Sequence, residues 1–369
     1  MFINAMGLII ADTKRISLGE LSKPRALAAV PFGGRYRIVD FIISSMVNSG
    51  IKSVGLIAQN KYQSLMDHLG TGAPWDLDRK NQGLNILPPY VTTEFSDMTA
   101  SDELMGILNY IRTHKHKYVI VTHANVIFNT TFNDVLAEHE KSGADVTLLY
   151  NKDGTKPGSP NYILETDRRG YLKEMLVDPE SSTSNRSGLG IIIMETETMI
   201  NLLTEAIAKE EKSFDLRLLI RQSMQLKIRT DEYKGIVFRV QDIKSYFTAS
   251  MSLLNDKTRR ELFWNGYSIF TKIKDEAPSL YSESSEVINS IISDGCRING
   301  NVKDSVLFRG ITIAPNSKIR NCVIFQDVTV LENCELENVI VDKNSVVRPG
   351  TKLVGNKDYP VVIGKGVIV

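Results

Sequence analysis

The residues of this chain best suited to chemistry are cations grouped on tight loops. Arg35 and Arg37 follow the Gly33-Gly34 pair, and Lys14 and Arg15 lie in the loop after the first apolar run. A guanidinium beside glycines, where the backbone comes close, suits two-pronged contacts with phosphate or another oxyanion. The plainer alternative is a solvated turn with surface ion pairs, which fits either arginine taken singly; Lys14 and Arg15 could likewise be just a charged loop. The five histidines all lie in the first 139 residues, and only His114 and His116 are close together. Lys115 and Lys117 beside them suggest a solvated helix end. Cys296, Cys322 and Cys334 have no metal or redox spacing, which fits a reducing cytoplasm.

Such cations act only if a scaffold holds them, and 369 residues are enough for two or three domains with sizeable cores. Lys+Arg 44 against Asp+Glu 43 gives a net charge of +1, which excludes bulk attraction to nucleic acid or anionic lipid as the main function. The apolar runs are too short to span a membrane, and the start reads as a buried strand. Short aliphatic runs, 7–11, 53–58, 118–122 and 145–150, alternate with amphipathic stretches. That alternation implies a mostly parallel sheet covered on both faces. Further on, a strand is expected at 189–194, with helices at about 197–209 and 245–254. The resulting division is an α/β domain over 1–264, a polar linker over 265–285 and a third region over 286–369.

In that last region the helical period disappears and a repeat takes its place. Asp304-Ser305-Val306-Leu307, Asn321-Cys322-Val323-Ile324 and Asn338-Val339-Ile340-Val341 recur at intervals of 17, and Ile313, Val330 and Val347 keep the same period. Asn289-Ser290-Ile291-Ile292 is an earlier, slightly offset copy. Aliphatic positions six apart within each copy, as in Ile313 with Ile319, describe a left-handed parallel β-helix of hexapeptide repeats. Asn and Cys at its corners need only packing and backbone hydrogen bonds. Acyl transfer on such a coil needs a histidine base, and none follows His139, so the coil reads as an association or effector-binding module.

The run Ala29-Val30-Pro31-Phe32-Gly33-Gly34-Arg35-Tyr36-Arg37-Ile38-Val39-Asp40-Phe41, with Asn48-Ser49-Gly50 and Trp75-Asp76-Leu77-Asp78-Arg79, closely resembles the glucose-1-phosphate adenylyltransferases, also called ADP-glucose pyrophosphorylases. The resemblance covers essentially the whole chain. It implies a Rossmann-like nucleotidyltransferase domain that joins ATP and glucose 1-phosphate into ADP-glucose and pyrophosphate with Mg²⁺, and a coil that supports a tetramer and allosteric control.

This sequence departs from the family pattern where that chemistry resides. The family's glycine-rich phosphate loop falls on Asp12-Thr13-Lys14-Arg15-Ile16-Ser17, and its lysine before the Pro-Phe-Gly-Gly turn falls on Leu27. Its two metal-binding aspartates fall on Asn125 and Arg239, a local change of about three charge units in the positive direction. In the sugar and base segments only Asp102, Pro179 and Gly190 are kept, and the lysine expected at the sugar phosphate has become Asp178. What survives serves turns and packing. The pattern resembles the regulatory D subunit that accompanies a catalytic paralogue in some bacterial members. It implies a cytoplasmic, catalytically impaired chain in a hetero-oligomer, a tetramer, with no cofactor of its own, Mg²⁺ and ATP being used by the catalytic partner. Arg35 and Arg37 are then candidates for a phosphorylated effector, since the family has a basic residue at the position of Arg35 associated with such ligands in some members. An active sugar-phosphate nucleotidyltransferase with a rearranged site, and a stand-alone sugar-phosphate sensor, are the alternatives.

Overall fold

A computed structural model describes residues 4–11, 16–58, 61–87, 101–152, 162–211, 219 and 225–369. The first apolar run forms β1 (Ala5–Ile10), buried at all six positions, as a strand covered on both faces must be. The short hairpin β2 (Pro31–Phe32) and β3 (Tyr36–Arg37) turns at Gly33-Gly34 and leads into α1 (Ile38–Asn48). Asp40 starts that helix by accepting the Arg37 backbone N–H at 2.9 Å, and Gly50, at φ +83°, ends it. The crossover returns through β4 (Ser53–Ile57), α2 (Gln63–Leu69), β5 (Gly83–Leu87) and α3 (Ser101–His114) to β6 (Tyr118–His123).

Then come β7 (Val126–Ile127), α4 (Asn133–Ser142), β8 (Val146–Asn151), β9 (Tyr162–Thr166), β10 (Leu172–Val177) and β11 (Ser187–Glu195). The domain closes with α5 (Thr196–Ala208), β12 (Ile228–Glu232), β13 (Phe238–Arg239), α6 (Ile243–Ser252) and α7 (Asp256–Phe263). The sheet runs β10-β9-β11-β6-β1-β4-β5, with β8 beside β11 and β12 beside β8. Pairing is parallel through β6, β1, β4 and β5 and becomes antiparallel at β11, so the parallel pattern holds for one half of the sheet.

The last region is a coil of three five-stranded parallel sheets. Val306 pairs with Val323 and Val323 with Ile340, which is the 17-residue turn. Ile291 pairs with Val306 only 15 residues on, and this shorter turn explains the offset of the 289–292 copy. The final turn is longer, since Val341 pairs with Ile363. Corner residues Asn289, Asp304, Asn321 and Asn338 all take left-handed φ, a conformation that Asn and Asp tolerate. Asn321 donates to Asn338 Oδ1 at 2.6 Å up this ladder. The three cysteines are buried free thiols, and Cys322 Sγ donates to Arg320 O at 3.1 Å.

The 265–285 stretch is not a free tether. Phe270 N donates to Ser44 Oγ at 2.8 Å and Thr271 Oγ1 to Asp40 Oδ2 at 2.6 Å, which lays the strap along α1. Within the same stretch Leu280–Tyr281 is already the first strand of the coil. The two domains share one apolar cluster running from Leu18, Phe32, Phe41 and Tyr246 into Phe308 and Phe325. Tyr246 donates to Pro31 O at 2.6 Å while its ring meets Phe325 edge-on at 6.2 Å.

Gly34 lies where the hairpin touches the coil: it has φ +85°, and a Cβ there would lie 2.6 Å from Ser293 Oγ. Gly50 has a similar φ of +83° with nothing within 4 Å. Gly50→Ala should therefore cost only the backbone strain, about 1–2 kcal/mol, and Gly34→Ala clearly more. Equal losses in chemical denaturation of the two variants would show that the hairpin does not bear on the coil.

Candidate functional site

The two positions that align with the family's metal-binding aspartates stand side by side in the structure. Strand β13 pairs with β7 so that Arg239 lies opposite Val126, and Val240 N donates to Asn125 O at 2.7 Å. Asn125 and Arg239 are thus neighbours at the end of the sheet, as two metal carboxylates would need to be. The Arg239 guanidinium donates to Ser187 Oγ and lies 3.4 Å from Gly188 O. A carboxamide and a guanidinium do not fit a divalent cation, which wants anionic oxygens. Among the described residues no group of three His, Cys, Asp or Glu could hold a metal.

Nearby, Leu27 is buried in a short 3-10 helix, Leu27–Ala29, where the family lysine would stand. Beside Gly188 lies a small apolar cavity lined by Leu148, Tyr162, Leu164, Met175, Gly188 and Gly190. Lys14, Arg15 and the Asp12 end of the loop lie outside the described residues, as do Thr99, Ala100 and the Asp102 side chain. His116 shares a hydrogen bond with Ser53 Oγ at 3.0 Å and His114 one with Tyr110 O at 2.9 Å, so that pair is structural.

A second constellation lies on the seam between the domains. Counting two residues on from the paired Ile292, Leu307, Ile324, Val341 and Ile363 places Asp294, Arg309, Gln326, Lys343 and Lys365 on successive rungs of one corner. Arg309 is 5% exposed, makes no ion pair among the described residues, and its buried Nε has no hydrogen-bond partner. The buried Oε1 of Gln326 is unpartnered too. Burial lowers the Arg309 pKa, and the Arg35 charge lowers it further, so the glycine-turn arginine and this coil arginine face each other.

Two rungs on, roughly 10 Å at about 4.8 Å per rung, Lys343 meets Arg25 and Arg37. Burial first, then these two like charges, bring its pKa down to about 7. Arg37 is itself brought down to about 10, chiefly by burial, and its Nη1 donates to Ser64 Oγ at 2.9 Å. Arg25, 2% exposed, donates to Asp342 Oδ1 at 2.9 Å, and the other oxygen of this fully buried carboxylate has no partner. Below Arg37, Asp40 is held by His68 Nε2 at 2.6 Å, and burial lowers the His68 pKa. The seam therefore gathers Arg25, Arg35, Arg37, Arg309, Lys343 and Lys365 around few carboxylates, an arrangement that attracts oxyanions.

Sequence reasoning found Arg35 and Arg37 but not Arg25, Arg309 or Lys343. The 17-residue period could have aligned Phe308-Arg309, Phe325-Gln326 and Asp342-Lys343 as one column; what it lacks is the face that column turns to the other domain.

Comparison with known proteins now bears on the site. The family model for nucleotidyl transferases matches residues 13–254, and one for the GlmU-like C-terminal hexapeptide matches residues 277–359. The chain belongs to the nucleotidyl transferase family. It is 34% identical to the glycogen biosynthesis protein GlgD of Bacillus subtilis (strain 168), covering 100% of this chain and 98% of that one. It is 30% identical to a glucose-1-phosphate adenylyltransferase of Halalkalibacterium halodurans over 85% of this chain and 83% of the enzyme, and 32% identical to that of Bacillus mycoides (strain KBAB4) over 85% and 84%. The resemblance in the Pro-Phe-Gly-Gly segment thus extends through both domains. Among the described residues no helix is long and apolar enough to cross a membrane.

Breaking the buried Arg25–Asp342 ion pair leaves Arg25 without its counter-charge beside Arg37 and Lys343. Asp342→Asn should cost about 3–5 kcal/mol, whereas the double change Arg25→Met with Asp342→Leu should cost much less. Urea unfolding of both variants checks this, and a single variant as stable as the parent would show that the pair does not hold the seam.

Proposed function

We propose that this chain is a regulatory, catalytically impaired subunit that works in the cytoplasm with a catalytic glucose-1-phosphate adenylyltransferase, supporting glycogen biosynthesis. The partner would carry out the reaction of ATP with glucose 1-phosphate to give ADP-glucose and pyrophosphate, using its own Mg²⁺, within a mixed tetramer. The observation that carries this reading is that Asn125 and Arg239 stand beside each other on the paired β7 and β13 segments. Transfer between anions needs positive charge and metal-holding carboxylates around the phosphates, and this pair supplies no carboxylate where two are required. Leu27 in place of a lysine supports the same reading. The full-length match to a protein named for glycogen biosynthesis supports the pathway.

A chain without chemistry acts by binding something more tightly in one state of the assembly than in another. The seam suits that role, because its cations come from both domains and an oxyanion there would touch both. Arg35 and Arg37 supply the α/β side, and Arg309 and Lys343 the coil side.

The isolated chain should show no Mg²⁺-dependent synthesis or pyrophosphorolysis of ADP-glucose beyond a trace. Asn125→Asp combined with Arg239→Asp should not restore full activity, since Leu27 still lacks the charge that positions the phosphates. Turnover by the parent chain within tenfold of a typical enzyme, roughly 10 per second, would sink the proposal.

In mixtures with the catalytic partner, Arg35→Ala should weaken activation by an anionic effector by about 5- to 150-fold. Assembly and basal rate should stay nearly unchanged. Coincident activation curves for variant and parent mixtures would make Arg35 a turn residue only.

A further inference from the structure

The three faces of the coil differ in what they present. The sheet through Val306, Val323 and Ile340 is fully buried, in the cluster shared with the α/β domain. The sheet with strands Glu286–Ile288, Asn301–Lys303, Lys318–Arg320, Glu335–Glu337 and Lys352–Val354 is open instead. Its middle residues, such as Val302, Ile319 and Leu336, are buried, so the residues on either side of them point outward. Strand pairing stacks these outer residues in two columns. One reads Glu286, Asn301, Lys318, Glu335, Lys352, and the other Ile288, Lys303, Arg320, Glu337, Val354. All are exposed except the half-buried Glu335 and Glu337. Among the described residues Glu335 is paired with Lys352 at 2.8 Å, whereas Lys303, Arg320 and Glu337 make no ion pair.

The order of charges along these columns is complementary to itself when reversed. Turning a second copy about an axis parallel to the strands lays face on face with the rungs in opposite order. Each column then lies over the same column of the other copy. Lys303 meets Glu337 of the second copy and Ile288 meets Val354, while Glu286 meets Lys352 and Asn301 meets Glu335. The two-fold makes each of these contacts twice. Only the middle rung is mismatched, with Arg320 and Lys318 opposite their own counterparts. A two-fold along the coil axis instead lays one column on the other, which sets Lys318 against Arg320 and Glu335 against Glu337 and opposes no unlike charges. Charge order therefore selects the antiparallel arrangement. We propose that this face is where two copies of this chain meet, coil against coil and antiparallel. The face measures about 19 Å by about 10 Å at the usual rung and residue spacings. That is well below the roughly 800 Å² each partner buries in a stable interface, so the dimer is weak and sensitive to salt. No residue of the seam or of the Asn125 and Arg239 pair takes part.

Sedimentation velocity of the full chain over a concentration series reads the dimer dissociation constant. Lys303→Gln and Arg320→Gln each remove one positive charge from the same column at an exposed position, so any effect of net charge is the same for both. Lys303→Gln should raise the constant several-fold, since both contacts with Glu337 are lost. Arg320→Gln should lower it, because facing guanidiniums no longer repel. Lys303→Glu should raise it about tenfold or more, and Lys303→Glu combined with Glu337→Lys should return it to within about threefold of the parent. Two glutamine variants that shift in the same direction, or a charge exchange that dimerises no better than Lys303→Glu alone, would overturn the antiparallel arrangement. A parent that sediments as a monomer throughout, or a dimer that none of these variants affects, would overturn the assignment of this face.

Discussion

The packing of Tyr246 between Pro31 and Phe325 is the contact on which the rest of the architecture depends. A hexapeptide coil cannot bury its faces rung by rung, so each turn relies on its neighbours and the whole coil on whatever covers its exposed side. Here one side is covered by the α/β domain through Phe32, Phe41, Tyr246, Phe308 and Phe325. Each such ring buries enough apolar area to contribute about 1.5–3 kcal/mol, so the cluster outweighs any single charge repulsion nearby. The hydrogen bond from the Tyr246 hydroxyl to Pro31 O fixes the hairpin that presents Arg35 and Arg37.

That order of magnitudes explains how a seam so rich in cations holds together. Arg25, Arg37 and Lys343 are like charges gathered in one place, and for the last two desolvation disfavours the charged form as well. The chain relieves the strain through Asp342 under Arg25 and Ser64 beside Arg37. None of these removes the unpartnered Nε of Arg309 or the unpartnered Oε1 of Gln326. Buried polar atoms without partners are few in native folds, and two on adjacent rungs of one column single out that corner.

The fold was largely legible in the sequence because its signals are periodic. Aliphatic runs placed β1, β4, β6 and β8, and the 17-residue period placed the coil, since burial imposes a spacing that needs no knowledge of the partner surface. The β11 strand is where that reading thinned: Leu189–Met194 is an equally apolar run in a parallel or an antiparallel strand. The 265–285 stretch reads as a polar connection in sequence, and what sequence does not show is that it makes hydrogen bonds to α1 and contributes the first rung of the coil. The altered metal pair was legible only through the resemblance, as Asn125 and Arg239 carry no signal of their own. The seam was half legible: Arg35 and Arg37 sit on a recognisable turn, whereas Arg309 and Lys343 gain their meaning from a domain contact far away in sequence.

The two constellations also differ in what a charge can do in each. Arg239 of β13 is tied to Ser187 and Gly188 at the start of β11, so its positive charge is used within the fold. At the seam, Arg309 and Lys343 have no such ties among the described residues, and their charges come from the rigid corner of a coil that cannot yield. Neutralising them relieves repulsion between two bodies that share one core. Among the described residues, the seam is thus where cations of both domains stand together, Arg35 and Arg37 on one side and Arg309 and Lys343 on the other, the latter two without such ties.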